Sequence, residues 1–159
     1  MKMSVGNMYN YFVSKEDLAR YAISFSTKIL ASKIKEINKK NITVREKIEL
    51  FVEMHLSEIR NRPEIIEYFL RVYLSNKEIF KSGYEGFLLI NDYVTEVMIL
   101  LEDGAKKGEL RNQSFFAAFG ILIGALGGFA FLNGENVLEN DVLSYSDEVS
   151  ENIYRALKA

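Results

Sequence analysis

Residues 115 to 132 read FFAAFGILIGALGGFAFL, eighteen positions in a row without one polar side chain. Such a segment has to be enclosed by lipid or by protein, because burying apolar surface is the dominant favourable term for it. Its length just reaches that of a membrane span. The flanks argue otherwise: there is no belt of Tyr or Trp and no flanking Lys/Arg pair, only Arg111 on one side, with acids following on the other. Four of the eighteen residues are Gly, and each costs roughly 1 kcal/mol against Ala in a helix interior. Gly120, Gly124, Gly127 and Gly128 fall close to one helical face, where small residues let a second helix approach closely. The run is expected to be a helix that packs closely against another helix and not a membrane span.

The rest of the chain carries helical signals. Ser14 before Lys15-Glu16-Asp17 is an N-cap with acids in the first turn, and Leu18, Ala22, Phe25, Ile29, Leu30, Ile34 and Ile37 follow at three- and four-residue steps. Thr43 and Glu46 make a capping box, ahead of a stripe of Ile48, Val52, His55 and Ile59. Pro63 suits the first position of a further helix, running through Ile66, Phe69 and Tyr73. After a polar connector at 75–83, a long helix carries Tyr84, Phe87, Asn91, Val94, Met98 and Leu101 on one face. It ends near Gly108, which can take the left-handed cap. A last helix has Val142, Tyr145, Val149, Ile153 and Leu157 on one stripe. With one Pro, ten Gly and no sustained alternation in 159 residues, the chain reads as an all-α bundle of six or seven helices.

Composition removes several functions. There is no Cys, hence no disulfide framework, Cys-ligated zinc or Cys nucleophile. His55 is the one His, which rules out a multi-His metal site and leaves a Ser–His triad a single candidate. No Gly-rich phosphate loop follows a strand, and no Glu-x-x-His pair is present. The expectation is no enzyme, no cofactor and no metal. The N-terminus shows no basic segment followed by an apolar one, so the default address is the cytoplasm. Residues 1–62 carry twelve Lys/Arg against seven Asp/Glu, a net of +5, while residues 63–159 carry a net of −7. Either the N-terminal part alone is suited to a polyanion, or the charges are segregated by chance over a solvated surface.

The opening SVGNMYNYFVSKEDL fits a short helix over residues 5–10, a tight bend near Phe12-Val13, and the capped helix from Ser14. Small polar side chains on such a helix read base edges, and Tyr or Lys groups reach phosphates. Ser4, Gly6, Met8, Tyr9, Tyr11, Phe12, Ser14, Lys15, Glu16 and Leu18 stand as in the recognition helix and following helix of the TetR family of transcriptional regulators, which this stretch resembles. The Gly-x-x-x-Gly-Glu-Leu at 104–110 is also similar to many members. The resemblance implies a partial helix-turn-helix domain and connecting helix over 1–37, and an effector-binding and dimerisation domain over 38–159. Ser4, Val5, Gly6, Asn7, Tyr9, Asn10, Tyr11 and Lys15 would then contact double-stranded DNA. The family has two helices, about forty residues, before its recognition helix. Here only Met1, Lys2 and Met3 precede Ser4, so weak operator binding is expected of the chain as it stands, tightening if those helices are restored.

The resemblance further implies a pocket for a small, largely apolar effector among the helices from Thr43 to Leu132. Phe51, His55, Phe69, Tyr73, Tyr84, Phe87, Asn91 and Phe119 are the candidate lining. Aromatic walls with one or two polar groups suit such a molecule, although each of these residues also has an ordinary place in a core. It implies a homodimer as well, built from helices 115–132 and 141–157, with Gly120, Gly124, Gly127, Gly128, Val142, Val149 and Ile153 at the contact. The expected function is a ligand-responsive regulator, with a repressor as the expected sign. A small-molecule-binding dimer without DNA-binding activity and a helical-bundle enzyme are the alternatives.

Overall fold

A computed structural model of the chain describes residues 11–67, 86 and 88–159. Among them all regular structure is helical, apart from one isolated bridge between Leu110 and Lys158. The helices are α1 (Lys15–Asn38), α2 (Val44–Asn61), α3 (Pro63–Glu67), α4 (Asn91–Lys106), α5 (Phe115–Gly134) and α6 (Ser146–Leu157), with a 3-10 turn at Val142–Tyr145 leading into α6. The all-α expectation holds. The helix expected over 5–10, the connector at 75–83 and the expected helical positions Phe69, Tyr73, Tyr84 and Phe87 lie outside the described residues.

Local chemistry starts and stops these helices as the sequence leads one to expect. The Ser14 side chain accepts from the Asp17 amide at 3.0 Å. Thr43 accepts from the Glu46 amide while Glu46 accepts from the Thr43 amide, a complete capping box. Pro63 opens α3. Gly108 adopts φ +71° after α4. Its amide and that of Glu109 reach back to the carbonyls of Ala105 and Gly104 at 3.1 and 3.0 Å, which satisfies the last carbonyls of the helix.

The helix α2 sits in the middle and packs on every other described element. Its buried face carries Ile48, Phe51, Val52, His55, Leu56 and Ile59. The helix α1 lies mainly along α4, while α6 and the 3-10 turn cover the other flank of α2. The link between α4 and α5 is sewn to the end of α6: the Arg111 amide donates to the Leu157 carbonyl at 3.0 Å. Gly104, Glu109 and Leu110 join this corner to the start of α2. The Glu109 carboxylate accepts from the Val44 amide at 2.8 Å, a first-turn donor with no partner inside its helix. A Cβ on Gly104 would stand 2.6 Å from Leu110 and 2.9 Å from Val44. The Gly-x-x-x-Gly-Glu-Leu signature therefore has one physical account: close approach, left-handed cap, helix cap, core anchor.

Two expectations need correction here. Phe25 points outward and is 54% exposed, stacked with Tyr21 at 6.2 Å, because the inward face of α1 is centred on Ile23, Thr27, Leu30 and Ile34. Val142, Val149 and Ile153 are buried within their own chain and packed into its core, so they have no surface left for a dimer contact. The apolar run is covered by its own chain along one side, and the face expected at the dimer contact is uncovered within the single chain. Ala118, Leu122, Leu126 and Ala130 face inward. Phe116 and Phe131 are 68% and 61% exposed, and a Cβ added at Gly120, Gly124 or Gly128 would meet nothing within 4 Å.

Gly104→Ala should destabilise the chain by about 1–3 kcal/mol, because overpacking against Leu110 and Val44 outweighs the better helix propensity of Ala. Gly108→Ala should cost about 1 kcal/mol through its left-handed backbone. Urea midpoints of the two variants check both; a wild-type midpoint for Gly104→Ala would contradict the packing described for this corner.

Candidate functional site

Five helices meet around one apolar cavity. Among the described residues, Leu30 of α1, His55 of α2, Ile66 of α3, Tyr93 of α4, and Ile123, Leu126 and Gly127 of α5 line it. Its volume is about 20 Å³, room for about one water. Larger clefts, of about 620 Å³ along α2 and α6 and about 450 Å³ between the ends of α1 and α4, are open surface grooves. Their charged walls are largely occupied in caps and ion pairs: Glu46 in the capping box, Glu49 with Arg45, Asp103 with Lys47 and Lys107.

The polar chemistry of the cavity is a histidine and a tyrosine bonded to each other. His55 Nδ1 lies 2.7 Å from the Phe51 carbonyl oxygen. A carbonyl only accepts, so Nδ1 carries the proton. Nε2 is then the acceptor, and the Tyr93 hydroxyl donates to it across 2.9 Å. The Phe51 ring backs the imidazole at 4.3 Å and the Tyr93 ring meets it edge-on. Burial pushes the His55 pKa from 6.5 down to about 4, against the opposing pull of the Phe51 carbonyl and Glu58. Burial also raises the Tyr93 pKa above its ordinary value. At neutral pH the described residues of the cavity wall therefore hold no charge, and a ligand there would meet alkyl and aromatic surface from them.

One turn from this wall, the charges are paired. Glu58 is buried, takes an ion pair from Lys33 of α1, and has Arg62 2.8 Å away on its other side. Burial pushes its carboxyl up, but the hydrogen bonds and charges of Lys33 and Arg62 prevail and hold its pKa below the ordinary value. Lys47, also buried, donates to the Asn38 carbonyl and to Asp103, both at 3.0 Å. Asn38 in turn donates to the backbone and side-chain oxygens of Glu96 at 2.9 Å. The C-terminal end of α1 is thus tied to α2 and α4.

Of the residues proposed to line a pocket, His55 does so. Phe51 is fully buried behind it, in a second layer. Phe119 is half-buried and stacks on Phe115 at 5.3 Å, away from the cavity wall. Asn91 is corrected: it is exposed at the start of α4, because Tyr93, two 100° steps further round the helix, holds the inward face. Phe69, Tyr73, Tyr84 and Phe87 lie outside the described residues. So do Ser4, Val5, Gly6, Asn7, Tyr9 and Asn10; Tyr11 and Lys15 are exposed next to the start of α1. Tyr93 was not anticipated. Its signal is the four-, three- and four-residue spacing to Val97, Leu100 and Gly104.

No family model matches the sequence, and no curated protein matches it. Solved structures do. The transcriptional regulator FadR from Bacillus subtilis, in complex with stearoyl-CoA, superposes with a TM-score of 0.72 at 21% identity, covering 96% of this chain and 81% of that one. The fatty acid degradation regulator FadR from Bacillus halodurans gives 0.77 at 19% identity, covering 98% and 83%. A structure described as the molecular basis for control of antibiotic production by bacterial hormones gives 0.72 at 22%, covering 99% and 82%. At these identities what is shared is the fold.

The His55 site has a pH signature. The unfolded chain takes up a proton near pH 6.5, whereas the folded chain resists until about pH 4. Stability from this group is therefore full above pH 6.5 and falls as pH drops towards 4, by about 3 kcal/mol in all. His55→Gln should remove that component, seen as a shallower fall in the urea midpoint from pH 7 to pH 4. Parallel curves for the two proteins would contradict a buried neutral imidazole.

Proposed function

We propose that this chain is the effector-binding and dimerising part of a ligand-responsive transcriptional regulator of the TetR type. Residues 1–37 form the DNA-facing segment with its connecting helix, and residues 38–159 the effector and dimer domain. The observation that carries the reading is the uncharged cavity walled at once by α1, α2, α3, α4 and α5. A ligand placed there touches the helix that begins next to the proposed DNA contacts. The shared fold with two FadR regulators supports it. The effector is a small molecule with a substantial apolar part, and stearoyl-CoA, bound by the Bacillus subtilis protein, indicates the class to try first. The action is coupling between two sites: effector among the helices displaces α1, which carries Ser4, Val5, Gly6, Asn7, Tyr9, Asn10, Tyr11 and Lys15 away from the DNA. Repression relieved by the effector follows from that direction.

The partner surface is the outer face of α5. Phe116, Gly120, Gly124, Gly128 and Phe131 recur along one exposed stripe. An apolar helix with only 22% of its most apolar stretch buried in its own chain calls for a cover, and a second copy related by two-fold symmetry supplies an identical stripe. The protein is read as a cytoplasmic homodimer.

Two measurements test this reading. Long-chain acyl-CoAs and fatty acids, titrated against the purified chain, should raise its melting temperature with concentration, since a ligand at one hundred times its Kd adds about 2.7 kcal/mol. A flat response across the whole series would remove the apolar-effector reading. Light scattering in detergent-free buffer should report a dimer at micromolar concentration, and Gly124→Leu should shift it towards monomer by prising the helices apart. A wild-type monomer would remove the dimer.

A further inference from the structure

The cavity of about 20 Å³ is far smaller than any organic effector, so a ligand can enter only if its walls separate. Leu30 of α1 and His55 of α2 both line it. One helical turn on from each stand Lys33 and Glu58, which form an ion pair between the two helices. Glu58 has a second cation, Arg62, on its own helix four residues along, with Nη2 within 2.9 Å of both carboxylate oxygens. If α1 withdraws, Lys33 leaves with it, and about 39% of its side chain is already exposed to water. Glu58 keeps Arg62 and is not stranded as a lone buried charge, the outcome that makes most buried pairs costly to break.

The tie five residues further on, at the C-terminal end of α1, is built differently. The Lys47 side chain is only 5% exposed, and its partners are the Asn38 carbonyl and Asp103. Pulling Asn38 away would leave a buried ammonium short of an acceptor. The Asn38 amide adds two hydrogen bonds to Glu96 of α4. The C-terminal end of α1 is thus held by bonds that are expensive to open, and the turn before it by a bond with a replacement in place.

We propose that Lys33, Glu58 and Arg62 form a releasable latch that holds α1 against α2 in the ligand-free state and sets how much effector is needed to open the cavity. The proposal rests on the effector reading above and adds its regulation. Lys33 and Glu58 are positioning residues, acting through the helix that they hold. Weakening the latch raises the fraction of molecules already open, and apparent affinity rises by the same factor.

The test uses the full chain and the fluorescent probe 11-(dansylamino)undecanoic acid. Lys33→Met keeps the alkyl stem and leaves Glu58 with Arg62. Relative to wild type it should bind the probe between about threefold and tenfold more tightly. It should also speed hydrogen exchange of amides in residues 19–30 of α1 while leaving residues 34–38 unchanged. Lys33→Arg should restore both. A general loss of stability would instead speed exchange along the whole helix and gain no affinity. Glu58→Gln, nearly isosteric, is the second variant, expected to act in the same direction if Lys33→Met does not fold. A folded Lys33→Met or Glu58→Gln variant with wild-type exchange in residues 19–30 overturns the latch, as does faster exchange there without tighter probe binding where wild type binds the probe. Failure of wild type to bind the probe counts against the effector reading alone. The latch is then decided by exchange: selective speeding upholds it and a wild-type pattern overturns it.

Discussion

Every described element of this fold packs on α2, and a helix surrounded in this way needs partners for the polar side chains it carries inward. Lys47, His55 and Glu58 are the buried polar residues of α2. Each is bonded to a different part of the structure: Lys47 to the end of α1 and to α4, His55 to its own backbone and Tyr93, Glu58 to α1 and to Arg62. The first turn of α2 is closed by Thr43, Glu46 and, from 65 residues away in sequence, Glu109. These bonds fix how α1 and α4 lie against α2, and the packing of the two outer helices at the cavity follows from them.

The chemistry of the cavity follows from the same requirement. His55 could be a charged group facing a ligand. Burial makes it neutral, and both ring nitrogens are engaged. The charge that α2 does carry near the cavity is one turn along, at Glu58, and is spent on Lys33 and Arg62. The described walls of the cavity are thus apolar, and the ionic ties between α1 and α2 stand just outside it.

The caps were legible because their chemistry is local. Ser14, the Thr43–Glu46 box, Pro63 and Gly108 each act within a few residues of themselves, and each stands as read. The pairing of Glu109 with Val44 was not legible, since nothing in either neighbourhood names the other. Periodicity found the apolar faces but not always their phase. A broad stripe on α1 admitted Phe25, which the packing turns outward, and on α4 it admitted Asn91 in place of Tyr93. The stripe Val142, Val149 and Ile153 was correctly apolar, but periodicity does not say whether a helix buries its stripe in its own chain or in another. Here α2 takes it, and the outer face of α5 is left as the apolar surface. The segments that would hold Phe69, Tyr73, Tyr84, Phe87 and the DNA-facing residues remain readings of sequence.

The way in which α1 is tied makes it a lever. At about 1.5 Å per residue, Leu30 lies roughly 12 Å from the bonds that hold Asn38, and Lys15 roughly 35 Å from them. A rigid helix turning about that fixed end multiplies a displacement at Leu30 by about three at Lys15. Parting the cavity walls by the width of a methylene chain, on the order of 4 Å at atomic contact distances, sweeps the far end through roughly 12 Å. In mechanical terms the cavity sits near the fulcrum, where the travel is short and the force required is high. The start of α1 is at the long arm, where the same work appears as distance.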